Sequence, residues 1–64
     1  MYRIFTECFG YKMYATELGN GWTDIAEEAT EFDSRGATPE QRLAWFTAII
    51  SHVVPGAVCK AESL

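Results

Sequence analysis

Cys8, Cys59 and His52 are the side chains in this sequence best suited to hold a metal ion or to act as a nucleophile. A zinc site uses thiolates and imidazoles at short, paired spacings. Here the two cysteines lie near opposite ends of the chain and the single histidine stands apart from both. That spacing matches no zinc pattern. A Cys–His nucleophile would further need an activated thiolate and an oxyanion donor, and the sequence indicates neither. No catalytic residue, metal ligand or cofactor is assigned, and the chain is not expected to be an enzyme.

Asp24, Glu27, Glu28 and Glu31 form a dense acidic cluster. On a helix they would gather within about 100° of arc. Asp24/Glu28 and Glu27/Glu31 would then be like-charge pairs four residues apart, each costing a few tenths of a kcal/mol. No Lys or Arg lies between positions 22 and 33 to relieve them. A solvated face is the plainer reading. The sharper one is a surface that docks on a basic partner, spaced like the phosphates of nucleic acid. Carboxylates without a glycine-containing calcium loop make a poor metal site.

Phe5, Phe9 and Tyr14 form a second group, with Arg3 and Lys12 beside them. Rings and cations on a sheet can stack single-stranded bases, and the same residues supply protein–protein hot spots. The net charge of −4 opposes the nucleic-acid reading.

These residues need elements to position them. The clearest is a helix over 38–54. Thr38 can cap it, Pro39 fits its first position and Gln41 completes a capping box. Pro55-Gly56 stops it. Leu43, Trp45, Phe46, Ile49, Ile50, Val53 and Val54 cover about half of its circumference, so it should bury against more than one element. Segments 2–9 and 11–16 read as strands, rich in aromatic and β-branched residues. A type II′ turn with Gly10 at the positive-φ position would join them. In that register Cys8 faces Met13, Thr6 faces Ala15 and Ile4 faces Glu17. Tyr2, Ile4, Cys8, Met13 and Ala15 then share one face. Arg3, Phe5, Glu7, Phe9, Lys12, Tyr14 and Thr16 share the other.

Leu18-Gly19-Asn20-Gly21 reads as a turn. An acidic helix should follow over about 22–33, capped by Asn20 or Thr23, with Trp22, Ile25, Ala26, Ala29 and Phe32 as its apolar stripe. Trp22 and Trp45 would then stand one on each helix, within reach of each other. Segment 57–61 reads as a short strand returning to the sheet. The expected fold is α+β, one domain over 1–64. A small antiparallel sheet packs on two helices, in the order β-β-α-α-β.

Size and charge narrow the function. Sixty-four residues bury only about 60% of their unfolded surface, yet the chain is 48% hydrophobic and 14% aromatic. The surplus points to an interaction surface. No signal peptide is expected from the first residues, and no run of about 18 apolar residues is present to span a membrane. The cysteines are read as reduced thiols and the location as cytoplasmic. The expected function is a small acidic protein-binding module. It would act as an inhibitor or modulator of the kind phages encode, docked on a larger host protein that handles nucleic acid. Asp24, Glu27, Glu28 and Glu31, or Phe5, Phe9 and Tyr14, would make the contact. The alternatives are a single-stranded nucleic-acid-binding module using Arg3, Phe5, Phe9, Lys12 and Tyr14, and a purely structural homo-oligomer subunit.

Overall fold

The computed structural model describes residues 1–16 and 21–64. Their architecture is α+β. Four strands, β1 Tyr2–Cys8, β2 Tyr11–Ala15, β3 Trp22–Thr23 and β4 Cys59–Ser63, form one antiparallel sheet in the order β3-β2-β1-β4. One α-helix, α1 Pro39–Ser51, packs on one face of it. The order among the described residues is therefore β-β-β-α-β, with one helix rather than two. The turn expected over 18–21, the Asn20 cap and the Ile4–Glu17 pairing involve residues 17–20 and lie outside the described residues.

The β1–β2 hairpin closes with a two-residue loop as expected, but one position earlier in the chain. Cys8 pairs with Tyr11 and Phe5 with Tyr14, so the two-residue loop is Phe9-Gly10. Both loop residues have positive φ, 52° and 83°, as a type I′ turn requires and a type II′ turn does not. The type I′ twist matches the right-handed twist of the strands, and that match outweighs the steric preference of Phe9. Relative to the expected register the pairing slips by two residues. Side chains alternate with period two, so every strand residue keeps its expected face.

The face with Tyr2, Ile4 and Ala15 is the one α1 covers. Phe46 and Ile50 enter from the helix and Cys59 from β4. At the N-terminus of α1 the Thr38 hydroxyl accepts from the Gln41 amide, and the Gln41 side chain accepts from the Thr38 amide. Both expected halves of the capping box are present. The other end comes earlier than expected. Pro55 disfavours a helical Val54, so α1 ends at Ser51. The amides of Val53 and Val54 fold back on the Ile50 carbonyl at 3.0 and 2.8 Å.

The expected acidic helix does not form. Trp22 and Thr23 pair with β2 instead, and Ala26–Glu28 makes a single 3-10 turn. The Thr23 hydroxyl accepts from the Ile25 amide at 3.1 Å, a local turn that competes with a helical start. Beyond it the chain runs extended beside the hairpin. Thr30 donates to the Ala15 carbonyl, and Phe32 exchanges two hydrogen bonds with Tyr2 at 2.9 and 2.8 Å. A helix here would have carried the like-charge pairs noted above. The extended path avoids them and delivers both Trp22 and Phe32 to the Phe46 ring, at 6.0 and 5.7 Å. Trp22 thus packs on Phe46.

A non-glycine residue in the left-handed region costs about 1–2 kcal/mol, less for Asn. Phe9→Asn, which creates the favoured Asn-Gly turn, should raise the unfolding free energy by about 0.5–1 kcal/mol. Urea denaturation followed by circular dichroism checks this. A loss of stability would show that the Phe9 ring supports the fold.

Candidate protein-docking surface

α1 has more apolar surface than the sheet can cover. Phe46 is 2% exposed, whereas its neighbour Trp45 is 59% exposed. Leu43 and Ile49 are half-buried, and Val53, just past the helix, is exposed. Trp45 packs against Phe46 with ring centres 5.2 Å apart and forms the lip of a groove of about 380 Å³. Phe32, Ala37, Gln41, Arg42 and Phe46 complete its lining. The expected second helix would have been the natural cover for this side of α1. With that segment extended, the groove stays open.

The polar groups lining the groove are already engaged. Arg42 donates through Nη1 to the Tyr2 hydroxyl at 3.1 Å and to the Asp33 carbonyl, and through Nη2 to the Arg35 carbonyl at 3.2 Å. Its guanidinium also lies 5.2 Å from the centre of the Phe32 ring. Gln41 is held in the capping box. Asp33, at the end of this loop, accepts from the Arg35 backbone amide and from its guanidinium. These two contacts hold its carboxyl below the usual carboxylate range. What remains for a visitor is the exposed ring of Trp45 and the accessible part of Phe32.

A sequence signal for this surface existed. From Leu43 to Cys59 the chain carries no Asp, Glu, Lys or Arg, although 22% of all residues are charged. A buried helix does not require this of its outer face. The exposed residues of the stretch, among them Ala44, Trp45, Ala48 and Val53, include no Asp, Glu, Lys or Arg all the same.

The residues singled out from the sequence are placed differently. Asp24, Glu27, Glu28 and Glu31 do not share an α-helix face, because only Glu27 and Glu28 lie in a helical turn, the single 3-10 turn Ala26–Glu28. Asp24 and Glu27 are exposed, Glu28 accepts from the Thr23 hydroxyl at 3.5 Å, and Glu31 lies 3.8 Å from Arg3. Phe5 and Tyr14 do share the second face of the sheet, with ring centres 5.9 Å apart, but they are only 8% and 7% exposed. Lys12 stands 4.6 Å above Phe5 and bridges to Glu62 at 3.4 Å. Tyr14 donates to the same carboxylate at 3.2 Å. The rings that would have stacked bases are thus roofed by an ion pair. Phe9, at the hairpin tip, is 90% exposed, and Tyr11 beside it is a further exposed ring that the sequence reading did not single out.

Among the described residues no three His, Cys, Asp or Glu side chains gather as metal ligands, and no helix is long and apolar enough to cross a membrane. Cys8 and Cys59 are free thiols. Cys59 is buried, its amide donates to the Thr47 hydroxyl at 3.1 Å, and burial raises its thiol pKa. Comparison with protein families, with curated proteins and with solved structures gives no match to this chain.

The contrast between the thiols is measurable. Iodoacetamide should modify Cys8 in the folded protein and leave Cys59 intact, whereas both react in urea. A folded-state pKa raised above the unfolded value contributes stability below the ordinary thiol range of about 8.5, lost as pH rises through the folded value. The melting temperature should therefore fall over alkaline pH in the wild type and fall less in Cys59→Ala. Equal labelling of the two thiols in the folded state would contradict the burial of Cys59.

Proposed function

We propose that this chain is a protein-binding module that docks on a larger protein through the uncharged side of α1, with Trp45 as its anchor. The observation that carries the reading is the exposure of Trp45 at the lip of an aromatic groove, within a stretch free of charge. Tryptophan is strongly enriched at binding hot spots. An exposed apolar patch on a small chain is otherwise a solubility liability. The groove suits one aliphatic or aromatic side chain of the partner, set between Trp45 and Phe32 over the Phe46 floor. A module of this size acts by occlusion, covering a working surface of its partner as an inhibitor or modulator does. With the acidic segment not gathered on a helix face, the reading no longer rests on a basic partner.

A photocrosslinking amino acid such as p-benzoylphenylalanine, placed at position 45 or at position 27, tests this in a lysate of the source cells. Position 45 should give an adduct of one defined mass, competed by unlabelled wild type and not by the Trp45→Ala variant. An adduct from position 27 with none from position 45 would move the interface to the acidic segment. No competed adduct from either position would overturn the reading.

A further inference from the structure

β4 is one of the two edge strands of the sheet, with no further strand beside it among the described residues, and the directions of its backbone groups follow from two hydrogen bonds. Leu64 donates its amide to the Met1 carbonyl at 3.2 Å, whereas Cys59 donates to Thr47 rather than to β1. In an antiparallel ladder both backbone groups of a residue point the same way and alternate along the strand. Lys60, Glu62 and Leu64 therefore face β1. Cys59, Ala61 and Ser63 face outward, and only the Cys59 amide among them has a partner on α1. The side of α1 above this edge carries Thr47, with Ala44 and Ser51 one turn away on either side. The helix carries no Asp, Glu, Lys or Arg from Leu43 to Ser51.

A free edge is commonly blunted by a lysine, and Lys60 is exposed and enters none of the ion pairs among the described residues. The strand, however, is self-complementary when read antiparallel about Ala61. Val58 falls opposite Leu64, Cys59 opposite Ser63 and Lys60 opposite Glu62. Val58 and Leu64 are 61% and 56% exposed. They share a side of the strand with Lys60 and Glu62, by the two-residue period. Centring the pairing on Lys60 or on Glu62 would instead place like charges face to face, which is destabilising.

We infer that β4 pairs with β4 of a second copy of this chain, antiparallel and centred on Ala61, so that two four-stranded sheets join into one. The two Ala61 residues exchange a pair of backbone hydrogen bonds at the two-fold axis. Each Lys60 comes opposite the partner's Glu62, a carboxylate that Lys12 and Tyr14 of its own chain also hold, and each Val58 meets the partner's Leu64. The surface is distinct from the Trp45 groove, and the dimer presents two such grooves. With so short a ladder the association is weak, below the class of standard interfaces that bury about 800 Å² per partner.

Sedimentation velocity over protein concentrations up to about 1 mM tests the pairing, with the 7.2 kDa monomer as reference. The wild type should move from monomer to dimer as concentration rises. Ala61→Pro removes the central outward amide without touching the bonds to β1 and should abolish the dimer. Lys60→Glu and Glu62→Lys should each raise the dimerisation Kd by about tenfold. An equimolar mixture of these two variants should restore association, because each strand then offers the charges the other lacks. Restoration also shows that both variants are folded. Trp45→Ala should dimerise like the wild type, which separates this result from the docking reading. A wild type that stays monomeric throughout, a dimer unaffected by the charge variants, or a mixture that fails to associate would each overturn the inference.

Discussion

The Phe46 ring is the point at which helix, sheet and irregular segment meet. It lies within 5.2–6.0 Å of the rings of Trp45, Phe32 and Trp22, and it is one of only two residues that α1 buries fully. A chain of this size has little else to rely on, since a core this small contributes only about 3–5 kcal/mol net. The stretch between β3 and α1 has one 3-10 turn as its regular structure. Its path depends on Phe32 docking against Phe46 and on two pairs of hydrogen bonds, the backbone pair between Phe32 and Tyr2 and the pair from the Arg42 guanidinium to the Asp33 and Arg35 carbonyls. Arg42 acts from the helix turn next to Phe46, so one turn of α1 holds both the sheet and the loop.

That economy has a consequence for the outside of the molecule. One helix lies across four strands and buries its Phe46 and Ile50 side. The extended segment reaches the core with only two large rings and leaves the flank of α1 uncovered. Trp45 and the groove are what remains when an apolar helix wide enough for two neighbours has one. The second face of the sheet reaches the opposite result. Among the described residues no second layer packs on Phe5 and Tyr14, yet they are closed over by Lys12 and Glu62 drawn across β1. Long charged side chains can cover apolar surface while their heads stay wet. The chain thus screens one aromatic face with its own charges and leaves the other bare.

Much of this was legible in the residues. Thr38, Pro39 and Gln41 mark the start of α1 because their cap is local chemistry, and Pro55 bounds its end for the same reason. The two faces of the hairpin were also readable, since alternation fixes faces even when the register is off by two. The turn type was not, because Phe9 at positive φ runs against local preference and is imposed by strand twist. The segment over 22–33 misled for a related cause. Its composition is compatible with a helix, but its contacts with Ala15 and Tyr2 are long-range, and no window of sequence contains them. The acidic cluster was therefore assigned to a face that does not exist. A helical wheel places Trp45 in the apolar arc of the helix, but it shows where apolar residues lie, not how much of that arc has a neighbour. The missing charge between Leu43 and Cys59 was the available signal.

The central claim is that adjacent residues of α1 have separate duties, Phe46 holding the fold and Trp45 facing outward to a partner. The most direct measurement is the unfolding free energy, in urea at 25 °C, of Phe46→Ala and Trp45→Ala beside the wild type. Phe46→Ala should lose about 3–5 kcal/mol, enough to unfold the chain. Trp45→Ala, losing one tilted ring contact with Phe46, should cost no more than about 1 kcal/mol. If Trp45→Ala is as destabilising as Phe46→Ala, Trp45 belongs to the core and the outward face of α1 is not a docking surface.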